Sequence, residues 1–294
     1  MRDYSLYEKA YLPDPGFPVR IFCNQEEEED NASGIYTHWH EQIELLYFVK
    51  GNAVVECNSV PIAVKPGDLI VVNSNDLHSV QNGWDSATYY CIIIDTSLLQ
   101  SSPTDTCDVK YINPITKNLI VFKNKICNDP EVISCVENII NENEEKDVGF
   151  ELSIKSYIYR LLVLLLRNYV DKVLTPKEYN AKVKNLGKLN CVLKYIEENY
   201  TEEITIEQLA RMICVSNYYF CHLFKQVTGK TLSEYINGVR VNAAEALLRT
   251  SDMNITEVAL AVGFNDANYF SRVFKKHRKY PPSQVRSSSG HASI

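Results

Sequence analysis

A fifty-residue repeat near the end of the chain constrains its fold more than any other feature. In each copy, a short helical pattern leads through a tight turn to a second helix, which begins after a capping residue, Ser216 or Asp266. When these two residues are aligned, the matched pairs are Tyr219-Phe220 with Tyr269-Phe270 and Phe224-Lys225 with Phe274-Lys275. Two helices joined by a tight turn form a helix-turn-helix, so the repeat predicts two such motifs in one helical domain.

Each second helix of the repeat has an apolar face and a polar face. The apolar residues recur at i, i+3 and i+4 and are predicted to pack against neighbouring helices; they are Phe220, Leu223 and Phe224, then Phe270, Val273 and Phe274. The residues predicted to contact DNA are Ser216, Asn217, Tyr218, Cys221, His222 and Lys225 in the first copy, and Ala267, Asn268, Ser271, Arg272, Lys275 and Lys276 in the second. The lysines, with Arg278 and Lys279, suit phosphates, whereas the residues that suit base edges are Tyr218, Cys221, His222, Ala267, Asn268, Ser271 and Arg272.

The charge distribution agrees with a nucleic-acid contact at this end of the chain. The net charge is -7, but residues 1–187 carry 17 Lys and Arg against 27 Asp and Glu, while residues 188–294 carry 13 against 10. Residues 267–286 contain six basic residues and no acidic residue. A basic segment in an otherwise acidic chain favours contact with a polyanion; a solvated helix face is the alternative interpretation.

The front half of the chain has a different periodicity. From residue 17 to about 112, apolar runs alternate with turn residues, and turns are predicted at 50–52, 57–60 and 65–68. After "NPITK" at 113–117 the apolar period lengthens towards that of helices, in "PEVISCVENIINEN" and "FELSIKSYIYRLLVLLLRNYV". The sequence therefore predicts a small β-domain, two middle helices and a helical C-terminal domain.

The C-terminal repeat carries the motifs of a known family. The motif "FK…G" lies at the end of the second helix of the first copy, and "R…A…LL" lies in the helix that connects the two copies. The motif "I…A…GF" lies in the first helix and turn of the second copy, and "P…R" lies at the end. The matching residues are Phe224, Lys225, Gly229, Arg240, Ala244, Leu247, Leu248, Ile255, Ala259, Gly263, Phe264, Pro282 and Arg286. In these motifs residues 188–287 resemble the DNA-binding domain of AraC/XylS-type transcription regulators. Tyr280 stands where the family usually has glycine, and Cys221 and His222 stand where longer polar side chains are common.

The resemblance implies a fold, a function and partners. It implies a sequence-specific transcription regulator, not an enzyme, that binds double-stranded DNA, with RNA polymerase as a candidate partner and a small-molecule effector, a sugar first, bound in an N-terminal cupin-like barrel. The predicted fold class is α+β: a cupin-like β-barrel followed by helices, then an all-α domain with two helix-turn-helix motifs. The predicted domains are the effector-sensing barrel (1–112), dimerisation helices and linker (113–186) and the AraC-type DNA-binding domain (187–287).

Four side chains in the front half, His38, His40, Glu44 and His78, have a spacing similar to that of the cupin motifs. His38 and His40 share one face of a strand because side chains alternate. Glu44 joins them only if residues 41–43 turn the chain, since on a straight strand its Cα would lie roughly 13 Å from that of His40. Three imidazoles and one carboxylate suit zinc, nickel, manganese or ferrous iron, so a divalent metal is a candidate cofactor.

Three interpretations of these four residues stay open: effector contacts, metal ligands, and structural polar residues at the mouth of the barrel. Asn73 and Asn75 replace the proline and glycine of the usual second cupin motif, which counts against a metal. The alternatives to a simple effector-responsive regulator are a metal-responsive regulator and a metal-dependent cupin enzyme fused to a DNA-binding domain.

The remaining expectations concern assembly and location. The helix predicted within 150–170 is apolar over so much of its circumference that we expect it to pair two subunits in a homodimer, with burial inside the monomer as the alternative. Residues 171–187 are predicted to form a polar, Lys-rich linker. The chain starts without an apolar leader, and its nine cysteines form no CxxC pair, so we expect a cytoplasmic protein with reduced thiols. No membrane partner is expected, because the apolar run at 157–170 is too short to span a bilayer.

Overall fold

Two antiparallel sheets form the centre of the first half of the chain. The computed structural model describes residues 6–24, 35–82, 87–99, 106–278 and 280–287. The strands before residue 95 are β1 (Val19–Cys23), β2 (Ile35–His38), β3 (Ile43–Lys50), β4 (Ala53–Cys57), β5 (Val60–Val64), β6 (Leu69–Val72), β7 (His78–Asn82) and β8 (Thr88–Ile94). The predicted turns at 50–52, 57–60 and 65–68 are confirmed, because they join β3 to β4, β4 to β5 and β5 to β6.

The chain passes between the two sheets at the segment that carries the first histidines. One sheet has the order β1-β8-β3-β6, with a further short strand, β10 (Lys125–Ile126), beside β6; the other has the order β2-β7-β4-β5. Because β2 and β3 lie in different sheets, residues 39–42 carry the chain from one sheet to the other, with a bend at Glu41 and Gln42. This is the turn that the sequence required for Glu44 to approach His40.

Strand β3 is buried on both faces, which explains its unbroken apolar run. Leu45 and Tyr47 pack in a core shared with the middle helices, whereas Leu46 and Phe48 pack in a core shared with β4 and β7 of the other sheet. Since side chains alternate along a strand, Glu44 points to the same side as Leu46 and Phe48, the side that faces the second sheet. A carboxylate is thereby placed in an apolar interior.

The division into strands before residue 113 and helices after it is only partly correct. A 3-10 turn (Thr96–Leu99) and a π-helical turn (Asp108–Ile112) occupy the end of the predicted β region, and α1 (Asn113–Thr116) follows directly after it. The strands β9 (Ile120–Phe122), β10 and β11 (Val170–Val173) lie in the region predicted to be helical or linker, where β11 pairs with β9 and β10 with β6. These short strands are specified by partners distant in sequence, which local periodicity does not reveal.

The two predicted middle helices are α2 (Pro130–Glu145) and α3 (Phe150–Asn168). Burial inside the monomer covers most of the apolar surface of α3, namely Ile154, Ile158, Leu161, Leu162, Leu164 and Leu165. The exposed stripe of the helix is mixed, with Leu152 and Val163 between polar residues, and Arg160 is ion-paired with Glu131 of α2 at 2.6 Å. The alternative interpretation thus accounts for most of this helix, and pairing of two subunits stays a prediction.

The predicted linker at 171–187 is not an irregular segment. Its start forms β11, and from Pro176 onward it is part of a 24-residue helix, α4 (Pro176–Asn199). The prediction of a linker rested on the polar composition of this segment, but a helix with one apolar stripe is also polar over most of its surface. The chain has two compact units, one spanning Tyr7–Lys184 and a second whose helices follow from Asn185, and the division between them falls inside α4.

The second unit is helical, as predicted. After α4 come α5 (Ile206–Met212), α6 (Asn217–Thr228), α7 (Leu232–Thr250), α8 (Ile255–Ala261), α9 (Ala267–Arg278) and α10 (Pro282–Ser287). Local signals fix their ends: Thr205 and Ser216 accept hydrogen bonds from the first turns of α5 and α6, and Gly229 ends α6 in a left-handed conformation. Within the described ranges, the helices lack the combination of length and apolar character that crossing a membrane requires.

The turn before α9 requires a glycine for two reasons. Gly263 has a φ of +89°, and a Cβ at this position would lie 2.6 Å from the carbonyl oxygen of Thr201. Arg240 of α7 donates to two carbonyls of the same segment, those of Tyr200 and Glu202. The family motif residues Gly263 and Arg240 therefore hold the end of α4 against the second helix-turn-helix.

Candidate functional site

The structure brings His38, His40, Glu44 and His78 together. Each offers one ligand atom, and these four atoms all lie within 4.8 Å of one another. Glu44 Oε2 is the centre of the group, 3.0 Å from His40 Nε2 and 2.8 Å from His78 Nε2. The ring of His38 lies on that of His78 with centroids 4.1 Å apart, and its Nε2 is 3.4 Å from Glu8 Oε2.

The orientation of two imidazole rings leaves an electrostatic problem at Glu44. His40 Nδ1 lies 3.2 Å from the Gln42 carbonyl oxygen, and His78 Nδ1 lies 2.9 Å from that of Asp76. A ring nitrogen beside a carbonyl is favourable when it carries the proton, which leaves Nε2 of a neutral ring with a lone pair. Both Nε2 atoms then direct lone pairs at a carboxylate oxygen, and His78 Nε2 is buried without an acceptable hydrogen bond. The cluster needs a cation, either protons on the rings or a metal ion.

Protonation is one way to supply the cation. Burial by itself would lower the pKa of His78, but the neighbouring Glu44 carboxylate outweighs it and raises that pKa. Burial would likewise raise the pKa of Glu44, but His78 and the hydrogen bond from His40 hold it well below its usual range. Cys91 Sγ donates to the other carboxylate oxygen, Oε1, at 2.7 Å, so the thiol orients Glu44 and leaves Oε2 to the histidines. Cys91 was not found from the sequence, because it lies 47 residues after Glu44.

The two asparagines that depart from the cupin pattern have structural roles. Asn75 has a φ of +59°, a conformation that glycine adopts freely and asparagine tolerates better than most residues. Its backbone N–H donates to the His40 carbonyl at 2.8 Å. The Asn73 amide both donates to the Phe122 carbonyl and accepts from the Phe122 N–H, at 3.0 and 2.7 Å. Asn73 and Asn75 therefore maintain the loop beside the cluster and do not argue against a ligand there.

In the second unit, the reading helices α6 and α9 each bury their aromatic face. Phe220, Phe224, Phe270 and Phe274 are at most 1% exposed, while Tyr218 is 86% exposed. The exposed residues among those predicted to contact DNA are Ser216, Asn217, Tyr218, Cys221, His222, Lys225, Asn268, Arg272, Lys275 and Lys276. Arg272 lies over the ring of Tyr269 at 5.9 Å, which orients the guanidinium beside the exposed face.

Two of the predicted contact residues are less accessible than expected. Ala267 is half-buried and packs against the core of the unit, and Ser271, also half-buried, donates its hydroxyl to the Ala267 carbonyl at 2.9 Å. Ser216 is exposed, but its hydroxyl oxygen accepts from the Tyr219 N–H as the cap of α6. The hydroxyls of Ser216 and Ser271 are thus each hydrogen-bonded to the backbone of their own helix.

Arg278 does not fit the predicted phosphate contact. Its Nε lies 2.5 Å from Glu245 Oε2, and a second guanidinium nitrogen donates to Asn242 Oδ1 at 2.7 Å. Glu245 also accepts from Arg249 and from the Tyr280 hydroxyl, at 2.9 and 2.8 Å. An arginine at a basic helix end has the same sequence pattern whether it faces solvent or a buried acid, so the sequence did not reveal these partners. Lys279 lies outside the described residues.

The Glu245 cluster also explains the tyrosine that replaces the usual family glycine. Burial would raise the pKa of Glu245, but Arg278 beside it, with hydrogen bonds from Arg249 and Tyr280, holds the pKa below its usual value. The phenol of Tyr280 has its pKa raised to about 12 by burial and by Glu245. Tyr280 is therefore a neutral donor that ties the last turn of the unit to α7.

Comparison with known proteins agrees with both halves of the chain. The sequence profile described as AraC-like ligand binding domain matches residues 23–162, and that described as helix-turn-helix domain matches residues 209–288. The chain is 25% identical over 268 residues to the uncharacterized HTH-type transcriptional regulator YdeC of Bacillus subtilis strain 168, covering 89% of this chain and 90% of that protein. It is 25% identical over 260 residues to the HTH-type transcriptional activator RhaS of Klebsiella pneumoniae strain 342, covering 85% and 86%.

Among solved structures, the C-terminal domain of the two-component response regulator yesN from Fusobacterium nucleatum is 33% identical and matches 36% of this chain and 98% of that chain, with a TM-score of 0.31. YdeC and RhaS, which are matched over most of their length, are named as regulators or activators of transcription, in agreement with the prediction that the chain is not an enzyme. With a ligand-binding profile over the β-domain and a helix-turn-helix profile over α5 to α10, the chain belongs to the AraC family of transcription regulators.

Proposed function

We propose that this regulator reads DNA with α6 and α9. The observation that carries the proposal is the division of both helices into a buried aromatic face and an exposed polar face. Helix α7 packs against both of them, so the two exposed faces belong to one body. We expect the helices to enter successive major-groove segments on one side of the duplex, about 34 Å apart. A single DNA-binding unit would then protect an asymmetric site of nearly two turns.

Within this interface, arginine and lysine are expected to have different roles. Arg272 is the side chain best suited to a bidentate contact with guanine, so Arg272→Ala should cost about 1–3 kcal/mol on the target site and little on scrambled DNA. Lys275→Ala should weaken binding to both DNAs alike and reduce the salt dependence, since phosphates carry no sequence information.

Salt titrations by fluorescence anisotropy, on promoter DNA and on scrambled DNA, measure both effects. Lys194→Ala, in α4 and outside both motifs, is the control variant and should change neither affinity nor salt dependence. If Arg272→Ala and Lys275→Ala lost the same affinity on both DNAs, the assignment of Arg272 to a base contact and of Lys275 to a phosphate contact would be wrong.

The effector proposed for the Tyr7–Lys184 unit is a divalent transition-metal ion bound by His38, His40, Glu44 and His78. The donor set suits zinc, nickel, manganese or ferrous iron. The four donor atoms lie within 4.8 Å of one another, and a tetrahedral ion with ligands at about 2.1 Å needs them about 3.4 Å apart, so small movements suffice. Carbonyl oxygens beside both Nδ1 atoms are the partners that orient metal-binding imidazoles.

A sugar, the effector suggested first by the family resemblance, fits the cluster less well. His40, Glu44 and His78 are at most 2% exposed, and their side chains are in contact. A sugar would have to separate them in order to enter, whereas an ion occupies the position between the donor atoms and supplies the positive charge that the lone pairs require. The proposal therefore favours the metal-responsive regulator over the sugar-responsive one.

Elemental analysis of the purified protein tests the metal. We expect close to one equivalent of a first-row transition metal in the wild type and in His222→Ala, which removes an exposed histidine of the other unit, and a loss of that metal in His40→Ala. After a chelator has removed that metal, zinc should change the affinity of the wild type for DNA. A wild-type protein that is free of metal and gives no heat when titrated with zinc, nickel, manganese or ferrous iron would refute this effector.

A further inference from the structure

The loop between β6 and β7, residues 73–77, contacts the cluster at two points. The Asn75 N–H donates to the His40 carbonyl at 2.8 Å, and the Asp76 carbonyl accepts from His78 Nδ1 at 2.9 Å. Both histidines are thus hydrogen-bonded to a stretch of two residues. Any displacement of the His40 backbone or of the His78 ring, as a ligand between them would cause, acts on this loop first.

The same loop holds the first turns of α4. Lys182 Nζ lies 2.6 Å from Asp76 Oδ1 and 3.4 Å from the Ser74 carbonyl oxygen. The Tyr179 hydroxyl accepts from the Asn75 side-chain amide at 3.3 Å. Asp76 is therefore bonded to the cluster through its carbonyl and to α4 through its carboxylate.

The loop is braced on its remaining side, so it has little freedom to absorb a displacement. Ser74 donates to Asn118 Oδ1 at 2.8 Å, and Asn118 in turn donates to Tyr179 at 3.2 Å. The Asp76 side chain is 4% exposed, while the Lys182 side chain is 32% exposed. Because a buried carboxylate is strongly destabilised without its partner, a displacement of the loop that separated Asp76 from Lys182 would carry a large free-energy cost.

We propose that loop 73–77 couples the His/Glu cluster to α4, with Asp76–Lys182 as the contact that is made or broken. It rests on the proposed function, in which the cluster binds the effector. Helix α4 begins in the sensor unit and continues from Asn185 into the DNA-binding unit. A ligand that favours one position of the loop favours one arrangement of the start of α4, and by linkage DNA binding then changes the affinity for the ligand by the same factor.

The experiment measures how far zinc changes the DNA affinity of the full-length protein, wild type and variants alike, after a chelator has removed the metal bound on purification. Lys182→Met removes the ammonium but keeps an apolar stem, and Lys184→Met is the matched control, an exposed lysine two residues away on the same helix. Zinc should shift the affinity of the wild type and of Lys184→Met by the same factor, about 5-fold to 150-fold. In Lys182→Met the shift should fall below 2-fold, although zinc still binds when measured by calorimetry. Tyr179→Phe, which removes one hydroxyl, should reduce the shift partly.

A wild-type shift retained in Lys182→Met would overturn the coupling. Failure of the proposed function is distinguishable, because the wild type would then give no heat with zinc. In that case His78→Gln replaces the ligand as the perturbation of the cluster, alone and combined with Lys182→Met. Effects on DNA affinity that depart from additivity by more than about 2-fold support the coupling, and additive effects overturn it.

Discussion

Replacement of Arg278 by methionine separates a structural role from a DNA contact. Arg278 and Glu245 are side chains with 13% and 9% exposure, 2.5 Å apart. Removing one partner of a buried pair costs about 3–5 kcal/mol. Glu245 keeps its bonds to Arg249 and Tyr280 in this variant, so we expect a loss of about 2–3 kcal/mol, at or below the low end of that range. The variant should leave the salt dependence of DNA binding unchanged, whereas Lys275→Ala should lower its slope by about one.

The assay is urea unfolding of residues 185–294, followed by the far-ultraviolet circular dichroism of the helices. Glu245→Gln in the Arg278→Met background removes the carboxylate charge that has lost one of its two arginine partners, so the double variant should lose less stability than the two single losses added together. The free energy of unfolding should decrease as the pH falls. Because the folded-state pKa of Glu245 is lowered, its contribution is present above the unfolded pKa and is lost as pH falls through the folded value; the loss should be smaller in Arg278→Met.

The result that would refute this reasoning is specific. If Arg278→Met changed the free energy of unfolding by less than about 0.5 kcal/mol, the range of ordinary surface substitutions, and lowered the salt slope as Lys275→Ala does, Arg278 would be a phosphate contact and the Glu245 pair incidental.

Three further predictions concern stability and assembly. Burial raises the pKa of Glu197 to about 7, so its contribution to the free energy of unfolding is present below pH 4.5 and is lost as pH rises through 7. The loss should be about 2 kcal/mol, allowing for the partial exposure of the side chain. Glu197→Gln should remove this pH dependence when unfolding is measured between pH 4 and 8. Gly263→Ala should destabilise the protein by more than about 2 kcal/mol in denaturant unfolding, because the φ of Gly263 is +89° and the new Cβ would meet a carbonyl oxygen. Gly187→Ala, inside α4 with open space around it, should stabilise the protein by about 0.5–1 kcal/mol. Equal effects of the two substitutions would contradict the packing argument. The fragment 1–180 should sediment as a dimer. Leu152 and Val163 are the two exposed large apolar residues of α3, and the double variant Leu152→Asp, Val163→Lys should dissociate this dimer. A wild-type fragment that is monomeric at high micromolar concentration places the dimer interface elsewhere.

Features with local causes were predicted correctly from the sequence. The caps Ser216 and Gly229, the apolar faces of α6 and α9 and the turns between β3 and β6 depend on residues within a few positions of one another. The strand alternation expected of His38 and His40 does not extend to His40, because β2 ends at His38 and His40 lies in the segment 39–42 that joins the two sheets. The family followed from these local features, because its motifs are caps, turns and core positions of two consecutive helix pairs.

Features decided by distant partners were missed, and the reason is physical. The carboxylate that binds Arg278 lies 33 residues away, and the ion pair between Asp76 and Lys182 spans 106 residues; nothing in either local sequence marks the partner. A lysine in a polar helix has the same periodicity whether it is solvated or bonded to a buried aspartate. The sequence could determine the double helix-turn-helix and name four candidate ligands, since these depend on spacing along the chain. Only the tertiary structure decided that the four ligand atoms converge, that α3 buries most of its apolar surface and that the cluster is bonded through one loop to α4, because each of these depends on which surfaces the fold brings within contact distance.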